Sequence, residues 1–107
     1  MEYIDFHTHI FPEKVAPKAI GKLARISGLT PYTDGTLPDT LEKMEVCGID
    51  RFVCLNIATA PGQEATINTV AAEVTQSHPK KILSLGSVHP KCENLEAELE
   101  HVAALGL

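Results

Sequence analysis

Asp5, His7 and His9 occupy every second position of the segment Asp5-Phe6-His7-Thr8-His9, placing a carboxylate and two imidazoles where they can act together. In an extended strand alternate side chains share a side, and two residues advance the chain by roughly 6.6 Å. Two imidazoles so spaced converge on one ion at about 2.0–2.1 Å from each nitrogen. His7 and His9 are therefore the candidate metal ligands. Asp5, on the same side, is a candidate to orient one of them by accepting a hydrogen bond from its ring. The competing reading makes the three residues the polar face of an edge strand, with Asp5 bonded to a histidine and no metal. Catalytic zinc takes three protein ligands plus water, and structural zinc takes four, so further ligands must come from outside the motif. No residue of this chain is assigned a catalytic role.

The other titratable residues carry weaker signals. His89 precedes Pro90 at the expected end of a strand, where it is a candidate substrate contact or an ordinary loop histidine. His78, before Pro79, and His101, away from a helical apolar stripe, read as surface residues. Cys54 lies in an apolar run, where a thiol behaves as a small hydrophobe. Cys47 and Cys92 have no neighbouring base in sequence to activate them. Asn56, at the end of the same run as Cys54, is a candidate pocket residue. Glu13, Lys14, Lys18 and Lys22 read as a solvated helix face.

The elements that must hold these residues follow from periodicity. Tyr3 to His9 alternates with the period of a strand. Pro12 suits a helix start, and Val15, Ala19, Ile20, Leu23 and Ala24 recur at helical spacing until Gly28. Thr36 and Asp39 have the spacing of a capping box, opening a second helix with Leu37, Leu41 and Met44 on one face and Gly48 as its stop. Arg51 to Ala58 contains the continuous apolar run Phe52-Val53-Cys54-Leu55, as in a parallel strand covered on both faces. A third helix follows Pro61-Gly62, with Ile67, Val70, Ala71 and Val74 on one stripe. Ile82 to Val88 reads as a third buried strand, and Leu95, Leu99, Val102 and Ala103 mark a fourth helix that Gly106 caps. The expected fold is α/β: a partial (β/α)8 TIM barrel of about three parallel βα units, with an extra helix after the first strand. Three strands cannot close a barrel, so a sheet edge stays exposed unless another copy or the missing barrel half covers it.

Composition narrows the functional classes. The 107 residues suit one compact unit, 1–107, and 44% apolar with 21% charged residues is ordinary globular composition. A net charge of −5 with scattered basic residues argues against a nucleic-acid partner. No apolar run approaches the roughly 20 residues of a membrane span, so no membrane partner is expected. Glu2 and Asp5 stand where a signal peptide would carry positive charge. Three cysteines without C-x-x-C spacing fit a reducing cytoplasm.

The segment YIDFHTHIFPEKVAPKAIGKL resembles the opening of the amidohydrolase-related TIM-barrel enzymes, which include carboxymuconate-semialdehyde and resorcylate decarboxylases beside true hydrolases. GIDRFVCLNIA and KILSLGSVHPK resemble that family's second and third strands, and the fourth helix with its LGL resembles the lead-in to a fourth strand. The resemblance implies one divalent metal, usually zinc, held in part by His7 and His9. It implies that the other ligands and the catalytic base come from later strands: a histidine on the fifth, often another on the sixth, and an aspartate on the eighth. It further implies a small-molecule carboxylate or amide substrate that is hydrolysed or decarboxylated without oxidation. TatD-type nucleases and polymerase-and-histidinol-phosphatase-like barrels also carry His-x-His on a first strand. Phe11-Pro12, the basic amphipathic helix that follows and the acidic balance fit them less well.

Overall fold

The computed structural model describes residues 1–107, in the order β1 (Ile4–Thr8), α1 (Ala16–Ser27), α2 (Leu37–Val46), β2 (Arg51–Leu55), α3 (Glu64–Ser77), β3 (Ile82–Leu85) and α4 (Leu95–Ala104). The strands form one parallel sheet in the order β1-β2-β3. The α/β alternation and the extra helix between the first two strands are as expected from the periodicity.

Apolar patterning fixes which side of the sheet is closed. Phe52 pairs with Ile82 and Cys54 with Ser84, and all four are buried. Phe52, Cys54 and Ile82 form the core, and Leu37, Leu41 and Met44 of α2 and Val74 of α3 pack on it with Ile10. Alternation sends Ile4, Phe6, Val53, Leu55, Leu83 and Leu85 to the opposite face. There Phe6 is 71% exposed, Leu83 49% and Leu85 45%. The sheet is therefore covered by helices on one face only, which corrects the two-sided burial expected from the continuous run. Val53 is buried even so, because it lies on the central strand between two neighbours.

Helix ends follow local chemistry with one displacement. Pro12 opens a turn rather than α1: its carbonyl accepts from the N–H groups of Val15 and Ala16 at 2.8 and 2.9 Å, and the helix begins at Ala16 with Pro17 in its first turn. Thr36 caps α2 by accepting from the Asp39 N–H at 3.4 Å. The Asp39 carboxylate does not return the bond to Thr36 but accepts from Asp34 N–H, while Asp34 accepts from Thr36 N–H at 2.8 Å. The hydroxyl and N–H of Thr36 hold the Asp34 carboxyl below the usual carboxylate range. β2 and β3 both end about three residues before the sequence reading places their ends, at Leu55 and Leu85. Beyond β3, the fully buried Asn68 joins the chain to two helices. Its amide nitrogen donates to Ser87 O and Glu98 Oε1, and its oxygen accepts from Ser87 N–H.

Gly35 sits at φ 82°, and a Cβ there would overlap the side chain of Ile20. Gly21, inside α1, has open space around the same atom. Gly35→Ala is thus expected to lose about 1–3 kcal/mol of stability, and Gly21→Ala to gain up to about 1 kcal/mol, in denaturant titrations. Equal effects of the two substitutions would show that Gly35 carries no backbone constraint.

Candidate metal centre

β1 does not run as a plain strand through its histidines. Asp5 pairs with Phe52 but Thr8 pairs with Cys54, so β1 spends three residues where β2 spends two. That is a β-bulge, which re-aims side chains by breaking the two-residue alternation. Asp5 and Thr8 fall in register with the helix-facing residues of β2, and the one-sided triplet of Asp5, His7 and His9 expected for a regular strand is not formed. Asp5 Oδ1 instead accepts from the His7 backbone N–H at 2.9 Å, so this carboxylate shapes the bulge.

The bulge nevertheless brings the two imidazoles together. The rings of His7 and His9 lie 5.1 Å apart, centre to centre, with their planes at 77°. His9 Nδ1 lies 2.7 Å from the carbonyl oxygen of Leu55 at the end of β2. A carbonyl only accepts, so Nδ1 carries the proton and the lone pair is left on Nε2. Metal-binding imidazoles are oriented by this kind of hydrogen bond from the second nitrogen. The Phe11 ring stacks beside His9 at 6.5 Å and 26°, and its backbone N–H is anchored on Gly35 O at 2.8 Å. A preset tautomer on His9 and a neighbouring exposed His7 fit two positions in the coordination of a divalent metal. Nowhere do three or more His, Cys, Asp or Glu side chains come together in a geometry that could hold an ion.

The remaining candidates lie elsewhere. The His89 ring accepts from Lys91 N–H at 3.1 Å and stands beside Glu64, not in a metal-binding group with His7 and His9. Asn56 donates to Leu85 O at 2.8 Å, tying the ends of β2 and β3, and its oxygen faces the Cys54 thiol at 3.8 Å. Cys54 is buried, Cys92 half-buried and Cys47 exposed, all as free thiols. Burial pushes the Cys54 thiol above its ordinary value, an effect only partly offset by the Ile10 backbone and the Ser84 hydroxyl.

Glu64 and Ser84 are among the buried polar residues not singled out from the sequence. Glu64, the first residue of α3, is 3% exposed and accepts from Gly62 N–H at 2.7 Å. Its own N–H and those of Gly62 and His89, with the His89 ring, hold its carboxyl below the usual range. An acid in the first turn after Pro61-Gly62 is the sequence sign of such a helix start. Ser84 is 2% exposed and its hydroxyl has no hydrogen-bond partner. Nothing in local sequence marks it, because its burial depends on pairing with Cys54 across the sheet.

No protein-family model and no curated protein matches the chain. Among solved structures, it is similar to a probable 2-pyrone-4,6-dicarboxylic acid hydrolase from Acinetobacter baumannii with citric acid bound, at a TM-score of 0.58 and 17% sequence identity. The match covers 100% of this chain and 36% of that one, so the chain spans about a third of the length of the enzyme it resembles. The likeness is one of fold: an α/β arrangement of the kind found in a hydrolase. None of the helices is long and apolar enough to cross a membrane.

The tautomer is open to direct measurement. Nitrogen-15 NMR of the imidazoles is expected to show that the neutral His9 ring carries its proton on Nδ1 and not on Nε2. A proton found on Nε2 would contradict the Leu55 hydrogen bond and the ligand geometry built on it.

Proposed function

We propose that residues 1–107 form the first three βα units of a TIM-barrel, metal-dependent hydrolase of the amidohydrolase-related type, with His7 and His9 as two of the ligands. The observation that carries this reading is the convergence of the two imidazoles at the C-terminal end of β1, with the Nε2 of His9 left free. Support also comes from the fold likeness to a dicarboxylic acid hydrolase over the whole of this chain. In parallel barrels the C-terminal ends of the strands are where active sites are built.

A divalent metal, with zinc as the expected ion, would lower the pKa of its bound water towards roughly 7 and polarise a substrate oxygen. The part played by this chain is to hold and orient. Leu55 O fixes the His9 ring, the Asp5 carboxylate holds the backbone turn that presents His7, and Phe11 walls one side of His9. The remaining ligands and the proton-transferring group belong to strands outside this chain. The substrate class we propose is a small carboxylate or amide, hydrolysed or decarboxylated without oxidation. A dicarboxylic acid in the name of the solved relative, and the citric acid bound to it, agree with a carboxylate. His89, in the loop four residues beyond β3, is the proposed substrate contact in this chain, through the ring nitrogen that Lys91 N–H leaves free. A soluble, cytoplasmic setting without nucleic-acid or membrane partners completes the proposal.

A second reading is favoured by the open sheet face: a non-catalytic half-barrel that pairs this face and its exposed edges with another copy. Apolar patches of this kind mark interaction surfaces.

Metal content separates the two readings. With the rest of the barrel supplied, mass spectrometry is expected to find close to one divalent ion per chain, and His7→Ala with His9→Ala to remove most of it. No bound metal in the complete barrel, or content unchanged by the double substitution, would refute the assignment.

A further inference from the structure

On the helix-covered side of the sheet the two levels of side chains differ in size. At the lower level Phe52 and Ile82 fill the space under the helices, whereas the next level holds Thr8, Cys54 and Ser84 in register across β1, β2 and β3. These are small side chains, and α3 adds only Val70, Ala71 and Val74 above them. A cavity of about 340 Å³ results, floored by Cys54 and Ser84 and walled by Leu37 and those three residues. It reaches the surface between Pro12, Glu13 and Pro38, all exposed. Neither His7 nor His9 lines it.

The floor is polar but poorly matched. Ser84 Oγ is buried with no hydrogen-bond partner, and a polar group left so is destabilising until something bonds it. The Cys54 sulfur lies close enough to feel this hydroxyl, but it is only a weak acceptor and no hydrogen bond forms between them. Asn56, also on the lining, donates its amide nitrogen to Leu85 O and turns its oxygen towards the Cys54 thiol at 3.8 Å. The ionisable groups lining the cavity are Cys54, kept as a neutral thiol by burial, and Glu13 at the mouth. No Lys, Arg or His lines it to balance an anion, and the interior has no carboxylate to balance a cation.

We propose that this cavity is a binding site for a small neutral molecule, largely apolar, that carries one hydroxyl or carbonyl group to hydrogen-bond with Ser84. Its volume falls in the range of small-ligand pockets, which combine apolar walls with a few placed polar groups. The site lies on the closed side of the sheet and so does not depend on what covers the open side, nor on metal binding at β1.

Phenol and toluene are suitable probes, followed through the backbone amide NMR signals of Ala71, Val74 and Ser84 in the folded protein. Phenol is expected to shift these signals saturably, and Ser84→Ala to weaken phenol by about tenfold, as for the loss of one hydrogen bond, while leaving toluene unweakened. Ala71→Leu, which fills the cavity, is expected to remove binding of both. Absence of saturable binding, shifts confined to other residues, or equal phenol affinity with and without the Ser84 hydroxyl would each overturn the proposal.

Discussion

The packing of Phe52, Cys54 and Ile82 against Leu37, Leu41, Met44 and Val74 closes one side of the sheet and leaves Ile4, Phe6, Leu83 and Leu85 on the other. Strand alternation makes this division unavoidable, since every residue added to the closed face commits its neighbours to the open one. A parallel sheet is ordinarily buried on both faces. The open face therefore creates a demand for a cover, whether from further barrel strands or from a second copy.

The same alternation places the chemistry. Polar groups gather at the C-terminal ends of the strands, where the apolar runs stop: His7 within the end of β1 and His9 just after it, Asn56 after β2, and Ser87 and His89 after β3. Hydrogen bonds between neighbouring strand ends hold them in place, His9 on Leu55 O and Asn56 on Leu85 O. Asn68 secures the last of these ends, bonding both the N–H and the carbonyl of Ser87 from α3. Removing this side chain would break three part-buried hydrogen bonds at once, those that tie Ser87 and Glu98 to α3.

Much of this is legible in the sequence. Alternating strands and helices, the order of the elements and the pairing of His7 with His9 follow from periodicity and spacing. What local pattern hides is set by neighbours in space. The bulge between Asp5 and Thr8 appears only once β1 is registered against β2, and it turns Asp5 from a ring partner into a backbone acceptor. A continuous apolar run such as Phe52 to Leu55 fits burial on both faces, yet helices cover only one. The cavity over Cys54 and Ser84 is likewise a product of register, since three separate strands each place a small residue at the same level.

Sedimentation velocity of the 107-residue chain at micromolar concentration, read together with its thermal unfolding, tests most directly whether the open face needs a cover. Self-association, or a monomer that unfolds without a cooperative transition, is the result predicted for a sheet with Phe6, Leu83 and Leu85 exposed. A monodisperse monomer that unfolds in one sharp, cooperative step would show that the open face is stable in water, and would contradict its demand for a cover.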